Sequence, residues 1–426
     1  MPKSYLMNIF TYQILFLLLL PFAFLRLILR AIKQPKYLFF WNERLGFYSK
    51  KLKAVLRSKQ IIWMHCVSVG ETKAALPLIQ ILLVKYPTHH ILVSHSTPTG
   101  RETKLIHSNR LHRCYLPFDI KICMKLFLNF FRPSVGLVFE TEIWPIMSFQ
   151  CKHMGVPLLL MNARLSKNSL NRYLFFKDFS SNVLNNFQMI CAQSEIDYKN
   201  FKRITNANIV VVGNTKFDFP SSKNKLFIAK ALKKDLNITN QTVLVAGSTR
   251  EGEEKLILDC FKNLKIKNLL LILVPRHPQR FVEVENLIAS SNLIFDKRSN
   301  FKKSIQTPQV ILGDSMGELH SYYELADLVI LGGSLKNFGA QNPIEPLSAG
   351  KPTIIGPSIF NFQDIIKKAE KENLIYRLND VKKLDLLIKK TIFLKQKIIM
   401  KKNIKDFLRK ESGASQRQAD LLNQFL

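Results

Sequence analysis

From about residue 60 onward, short apolar runs alternate with longer amphipathic stretches. Runs of this length, rich in Ile, Val and Leu, read as strands buried on both faces, and the stretches between them read as helices. One set falls at 61–65, 90–94, 135–139, 157–161, 189–192 and 209–212, and a second at 242–246, 269–274, 309–312, 328–331 and 352–355. Eleven strands exceed one ordinary domain. The polar, Lys-rich stretch FPSSKNKLFIAKALKKDLNITN separates the two sets. The pattern predicts an α/β protein of two doubly wound domains, over 36–220 and 241–395, joined by a linker at 221–240. Residues 396–426 read as basic C-terminal helices, and no internal repeat appears.

The first apolar run is different. Residues 9–25, IFTYQILFLLLLPFAFL, carry no charge, are followed by Arg26, Arg30, Lys33 and Lys36, and contain Pro21, which permits a kink. A secretory signal would want a basic start and a small-residue cleavage site, whereas only Lys3 precedes this run. Residues 1–35 therefore read as a hydrophobic membrane anchor, either spanning or interfacial, with a buried core helix as the third reading. The basic cluster after it keeps the body of the protein on the cytoplasmic side.

Charge sharpens this picture. The 426 residues carry a formal net charge of +32. Eleven Lys or Arg against one acid occupy the first sixty residues, and eleven against two acids occupy 382–410. Such a chain meets polyanions: nucleic acid, phosphorylated substrates or an anionic membrane surface. A Lys-rich genome is the bland explanation, but bias alone does not place the charges at the two ends. The six cysteines show no CxxC and no pairing with His. This argues for a reducing compartment and against a disulfide framework or zinc site.

Chemistry in an α/β protein is sought beyond the carboxyl ends of the strands. Polar groups stand there in both halves: His65, Ser68, Gly70 and Glu71; Glu140, Glu142 and Trp144; Asn162 and Arg164; Asn214, Lys216 and Asp218. The second half adds Ser248, Thr249, Arg250 and Glu251, then Arg276 and His277, Gly317 and Glu318, and Asn342 and Glu345. Each has a plainer reading. Glu71 is a favourable charge at a helix start, Ser248 and Thr249 are a helix cap, as are Asp314 and Ser315, His65 is a satisfied core group, His277 a turn residue and Lys216 a solvated cation. There is no GxGxxG after the first strand and no GxxxxGK[ST], so neither a dinucleotide oxidoreductase nor a P-loop ATPase is supported. No Asp-x-Asp pair offers itself to a metal-bridged diphosphate.

Ten motifs, in order, resemble one family: MHCVSVGET, STPTG, YLPFD, ETEIWP, NARLS, GNTKFD, AGSTREGEE, LVPRHPQRF, GDSMGEL and NPIEPLSAGKPTIIGPSIFNF. It is the family of 3-deoxy-D-manno-octulosonic acid (Kdo) transferases of lipopolysaccharide and lipid A synthesis. The resemblance implies a GT-B fold of two Rossmann-like domains facing a cleft, with an N-terminal membrane helix. It also implies inverting, metal-independent transfer of Kdo from CMP-Kdo to the lipid A precursor (lipid IVA) at the cytoplasmic face of the inner membrane, with no cofactor and no nucleic acid. The acceptor would bind the N-terminal domain and the donor the C-terminal one.

Carried over by motif, the proton acceptor falls on Glu71 and transition-state stabilisation on Glu140 and Lys216. CMP contacts fall on Pro275, Arg276, Met316, Gly317, Glu318, Asn342, Pro343, Ile344 and Glu345. The phosphorylated acceptor lipid would account for the basic surface. Where the family commonly reads Gly-His-Asn-Pro, this chain has Ala340, Gln341, Asn342 and Pro343, so this loop carries no acid. The stretch HSTPTGRET also departs from the common pattern near Arg101. Two rival readings are another GT-B nucleotide-sugar transferase acting on a membrane lipid and a non-catalytic basic protein of membrane surfaces or nucleic acid. The second predicts aromatics interleaved in the basic runs, where they are sparse.

Overall fold

Runs such as IIWMH and LLLILVP are buried along their whole length, so each needs strands on both sides and helices above and below. The computed structural model, which describes residues 8–218, 223–303, 307–393 and 397–426, builds two such sheets. The first contains β1 (Ile61–His65), β2 (His90–His95), β3 (Leu111–Tyr115), β4 (Val135–Phe139), β5 (Leu158–Ala163), β6 (Met189–Ala192) and β7 (Ile209–Val211), in the order β3-β2-β1-β4-β5-β6-β7. The second contains β8 (Thr242–Thr249), β9 (Leu269–Pro275), β10 (Phe295–Lys297), β11 (Val310–Leu312), β12 (Leu328–Leu331), β13 (Thr353–Ile355) and β14 (Tyr376–Arg377), in the order β10-β11-β9-β8-β12-β13-β14. All the pairings are parallel.

The period of two is visible in the cores. Ile61 and Trp63 join one buried cluster of the first sheet and Ile62 and Met64 the other. Leu244 and Ala246 face one side of the second sheet, Val243 and Val245 the other. The hydropathy pattern finds every strand except β3, β10 and β14. Each of these lies at a sheet edge and is at most partly buried along most of its length. An edge strand is covered less completely, so its sequence can do without a continuous apolar run; β7, the remaining edge strand, keeps one, Ile209–Val211.

The chain divides into two compact units, one of residues 1–219 with 411–426 and one of residues 220–410. The expected boundary at 220–221 lies outside the described residues. Much of the stretch read as a linker is a helix, Lys223–Asp235. Its Leu232, with Leu236 and Ile238 just beyond, enters the core beneath β8, because a Lys-rich helix still buries its apolar stripe. The last residues return to the first unit. There Ala419 and Leu422 share a core with Leu78 and Leu82 of the Val69–Lys85 helix.

The N-terminal helix runs from Ile9 to Lys33, straight through Pro21. Asn8 caps it, accepting from the amides of Phe10 and Thr11 at 2.9 Å each. On one side, the Tyr12 hydroxyl donates to Asp119 at 3.0 Å and Phe24 stacks on Trp41 at 5.0 Å. These anchor points are twelve positions apart, about 18 Å of helix, so the helix lies along the first unit. Phe10, Leu15, Leu18, Leu19, Phe22, Leu25, Leu29 and Ile32 are exposed. Ile9–Ile32 is long and apolar enough to cross a membrane.

Candidate active site

In the first unit, β1 ends at His65, the chain turns through Cys66 and Val67, and Ser68 caps the Val69–Lys85 helix. Glu71 stands in that helix's first turn. Ser68 Oγ accepts from the Glu71 amide at 3.4 Å, and the Glu71 carboxylate turns back on the loop. It accepts from Val67 N at 2.7 Å and from Ser68 Oγ at 2.9 Å. The plain reading is therefore realised too: Glu71 is part of a reciprocal cap.

Its electrostatics go beyond a cap. Glu71 is only 8% exposed. Its pKa is pushed up to about 8, chiefly by burial and next by the Glu142 carboxylate; the Val67 amide opposes them and Glu140 adds to the rise. Burial outweighs the helix dipole, which would have made it a weaker base.

After β4 the chain enters Glu140 with φ +57°, a left-handed turn that redirects the chain at the strand end. Its carboxylate meets Lys216 Nζ at 2.8 Å. Lys216 sits on a short 3-10 turn, Thr215–Asp218, after β7. Asn162, at φ +51° near the end of β5, accepts from Thr215 N at 3.1 Å, and Asn214 accepts from Lys216 N at 3.0 Å. Lys216 is thus an ion-pair partner in a built turn rather than a freely solvated cation. Asp218 accepts from the amides of Gly413 and Ser415, at 2.6 Å each, which fastens the C-terminal segment to the Lys216 turn. Glu71, Glu140, Glu142, Asn162, Asn214 and Lys216 all belong to one end of the first sheet. His65 does not join them: inside the core its Nδ1 lies 2.9 Å from Ser94 Oγ, but its buried Nε2 has no partner among the described residues, so the satisfied core group of the plain reading is only half realised.

In the second unit, β9 ends at Pro275, and Arg276 N donates to Thr249 O at 3.0 Å. The expected cap by Ser248 and Thr249 does not form. Thr249 is still in β8, Gly252 occupies the N-cap, and Thr249 Oγ1 donates to buried Glu254 at 2.7 Å. Nor do Asp314 and Ser315 cap the next helix; Glu318 takes that place. The Glu318 carboxylate receives two bonds from Arg298, both 3.1 Å, and one from Ser315. Burial would raise its pKa, but Arg298 and Ser315 hold it below the usual range. Met316 is exposed and Gly317 has φ +87°. Asn342 Oδ1 accepts from Ile344 N at 3.1 Å, Pro343 caps the short Ile344–Ser348 helix, and Glu345 lies in its first turn. His320 to Ser348, at 3.2 Å, ties the element after Glu318 to this helix, and buried Tyr323 feels both Glu345 and Arg276. Arg276, the 316–318 segment and the 342–345 segment are thereby linked.

Several residues that organise the sites are not among the sequence candidates. Glu253 is fully buried and accepts from the amides of Arg250, Gly333 and Leu335 at 2.8, 2.7 and 2.8 Å. It fastens the turn after β8 to the loop that leads to Asn342. Arg280 clamps Glu254 with two bonds, 2.6 and 3.2 Å. Asp119 accepts from the amides of Ile146 and Met147, at 3.0 and 2.8 Å, as well as from Tyr12. The acids of REGEE and YLPFD were visible as residues, but only burial distinguishes them from surface charge.

Residues 40–219 match the family model described as 3-deoxy-D-manno-octulosonic-acid transferase (kdotransferase). The chain is 36% identical to the 3-deoxy-D-manno-octulosonic acid transferase of Haemophilus influenzae over 363 residues, 84% of each chain. It is 31% identical to that of Bordetella pertussis over 378 residues, 86% of this chain and 87% of the other. Among solved structures, Anabaena HepE in complex with UDP aligns over 86% of this chain and all of its own, with TM-score 0.57 and 14% identity. A glycosyltransferase from Rickettsia africae aligns over 86% and 99%, with TM-score 0.57 and 12% identity. These two likenesses speak for the fold alone, that of GT-B glycosyltransferases. With its ten ordered motifs and this degree of identity, the chain belongs to the 3-deoxy-D-manno-octulosonic acid transferase family of glycosyltransferases.

Proposed function

We propose that this protein transfers Kdo from CMP-Kdo to a lipid A precursor (lipid IVA), with inversion and without a metal, at the cytoplasmic face of the inner membrane. The observation that carries this reading is Glu71: a nearly buried carboxylate at the β1–helix junction with a pKa near that of a working base. Inverting transfer needs one base to take the acceptor hydroxyl's proton while the sugar is attacked opposite the leaving CMP. Glu71 is that base. Glu140 favours positive charge at the anomeric centre, and Lys216 favours negative charge on the leaving phosphate or the donor carboxylate. Pro275, Arg276, Met316, Gly317, Glu318 and Asn342 to Glu345 hold the CMP. Because Arg298 occupies the Glu318 carboxylate, Glu318 acts on the nucleotide by setting the 316–318 backbone.

The exposed apolar side of the Ile9–Lys33 helix meets the membrane. Its opposite side is held along the first unit, which favours a helix lying in the interface over one that leaves the domain to span the bilayer. The basic residues nearby then face anionic lipid and the phosphorylated acceptor.

The test incubates membranes carrying the protein with tetraacyl lipid A precursor and CMP-Kdo and weighs the lipid by mass spectrometry, beside a Glu71→Gln control. Added Kdo that disappears in the control supports both reaction and base. Folded protein that adds no Kdo overturns the donor or acceptor, and a fully active control overturns the base.

A further inference from the structure

The turn that carries the proposed base, Cys66–Val67–Ser68, has each of its three carbonyl oxygens held by a different side chain. Buried His95 bonds Cys66 O through Nδ1 at 2.9 Å, Thr97 Oγ1 donates to Val67 O at 3.0 Å, and Thr72 Oγ1 donates to Ser68 O at 2.8 Å. A carbonyl acceptor requires the proton on His95 Nδ1, which assigns the tautomer. Gly100 closes the grip from below: a Cβ there would lie 2.8 Å from Val67 O. Two of these groups and the glycine come from HSTPTG, a motif to which the proposed chemistry gives no role of its own.

Peptide planarity turns this grip into aim. In a trans peptide the C=O of one residue and the N–H of the next point in opposite directions. Fixing Cys66 O toward His95 therefore fixes the Val67 N–H on the other side, where it meets Glu71 Oε2 at 2.7 Å. Fixing Val67 O sets the plane from which Ser68 presents its hydroxyl to Glu71 Oε1 at 2.9 Å.

Resting on the reading of Glu71 as the base, we infer that His95 and Thr97 are positioning residues: acting through the Cys66 and Val67 carbonyls, they aim the Val67 amide and Ser68 hydroxyl that hold the Glu71 carboxylate in place. They touch no reacting atom. Both bonds stabilise the ionised carboxylate, so loosening them makes Glu71 harder to deprotonate. The Glu142 and Glu140 carboxylates and the buried Cys66 thiol act on Glu71 directly, Lys216 pairs with Glu140, and His65 and His95 beside the turn are kept neutral by burial. On the C-terminal helix packed against this one, Arg417 is bonded to Val212 O and Asp420 to Lys85. Thr97→Val removes a hydroxyl and alters none of these charges.

The experiment measures kcat and kcat/KM for Kdo transfer against pH, using the full chain in membranes, for wild type, Thr97→Val, Thr97→Ser and Glu71→Gln. Thr97→Val is expected to lower kcat about tenfold through misplacement of the base. It is also expected to move the low-pH limb of kcat/KM upward by roughly one pH unit, the size of a weakened bond to a charged group. The KM for CMP-Kdo should stay where it is, and Thr97→Ser should restore both quantities. If Thr97→Val does not accumulate, His95→Gln, which keeps an N–H, is compared with His95→Met in the same way. An unmoved limb, or loss of rate that follows thermal stability alone, overturns the positioning role while leaving Glu71 as base. Full activity of Glu71→Gln overturns the base and this inference with it.

Discussion

Lys216 Nζ lies 2.8 Å from Glu140 Oε1, and the two residues reach each other from the ends of strands at different positions in the first sheet, 76 positions apart in sequence. Both side chains are about one-fifth exposed, so the pair is neither a solvated surface bridge nor a sealed one. Each partner fixes the other's direction. Lys216→Met and Glu140→Gln are each expected to lower kcat by about 10²–10³. Because they act as a unit, the double variant should lose far less than the product of the single losses. A double-variant cycle on Kdo transfer checks this; strictly multiplicative losses would mean the contact has no part in catalysis.

The pH dependence of stability follows from the burial of Glu71. Glu71 ionises near 4.5 when unfolded and about 8 when folded. A raised folded pKa contributes stability that is fully present below 4.5 and is lost as pH rises through 8. Glu71→Gln stays neutral at every pH, so its Tm relative to wild type should climb between these limits and level off above them. Asp119, pushed up to about 6 by burial, slopes the same way, while His65 and His95, held down by burial, slope oppositely. They are common to both proteins, so the difference in Tm isolates Glu71. A difference that does not vary with pH refutes the shift.

Asp218 closes the Lys216 turn onto the C-terminal segment through the two amides of Gly413 and Ser415. Hydrogen bonds to a charged group contribute roughly 1.5–3 kcal/mol. Asp218→Ala should therefore lower stability by about that amount, raise amide exchange over residues 411–426, and reduce kcat through the loosened Lys216. Asp218→Asn, which keeps an acceptor oxygen, should recover part of the loss. Hydrogen exchange beside a thermal melt tests this; unchanged exchange in 411–426 would sink it.

Ala340 has φ +65°, in the left-handed region that favours glycine. A left-handed alanine costs roughly 1–2 kcal/mol that glycine avoids, set against glycine's larger unfolded-state entropy. Ala340→Gly is expected to be neutral to stabilising by up to about 1 kcal/mol, without a change in Kdo transfer. A chemical denaturation series decides it, and clear destabilisation would show that the backbone strain here is smaller than the entropy it saves.

Much of this molecule was legible along the chain. Interior strands announce themselves because a strand covered on both faces must be apolar throughout, and the end of each apolar run marks where functional side chains emerge. Glu71, Glu140 and Lys216 all stand at such ends, and the ordered motifs point to the family. What the tertiary structure alone decided is the environment of those residues. Edge strands β3, β10 and β14 escape a hydropathy reading because half-covered backbone tolerates polar side chains. A Lys-rich stretch became a packed helix, and the last residues returned to the first unit, because packing selects a stripe of side chains rather than an average composition. The raised pKa of Glu71, its cradle held by His95, Thr97 and Thr72, and the burial of Glu253 arise from groups distant in sequence. Burial, distance and peptide direction are properties of the folded chain, and these three quantities turn a carboxylate at a helix start into a candidate base.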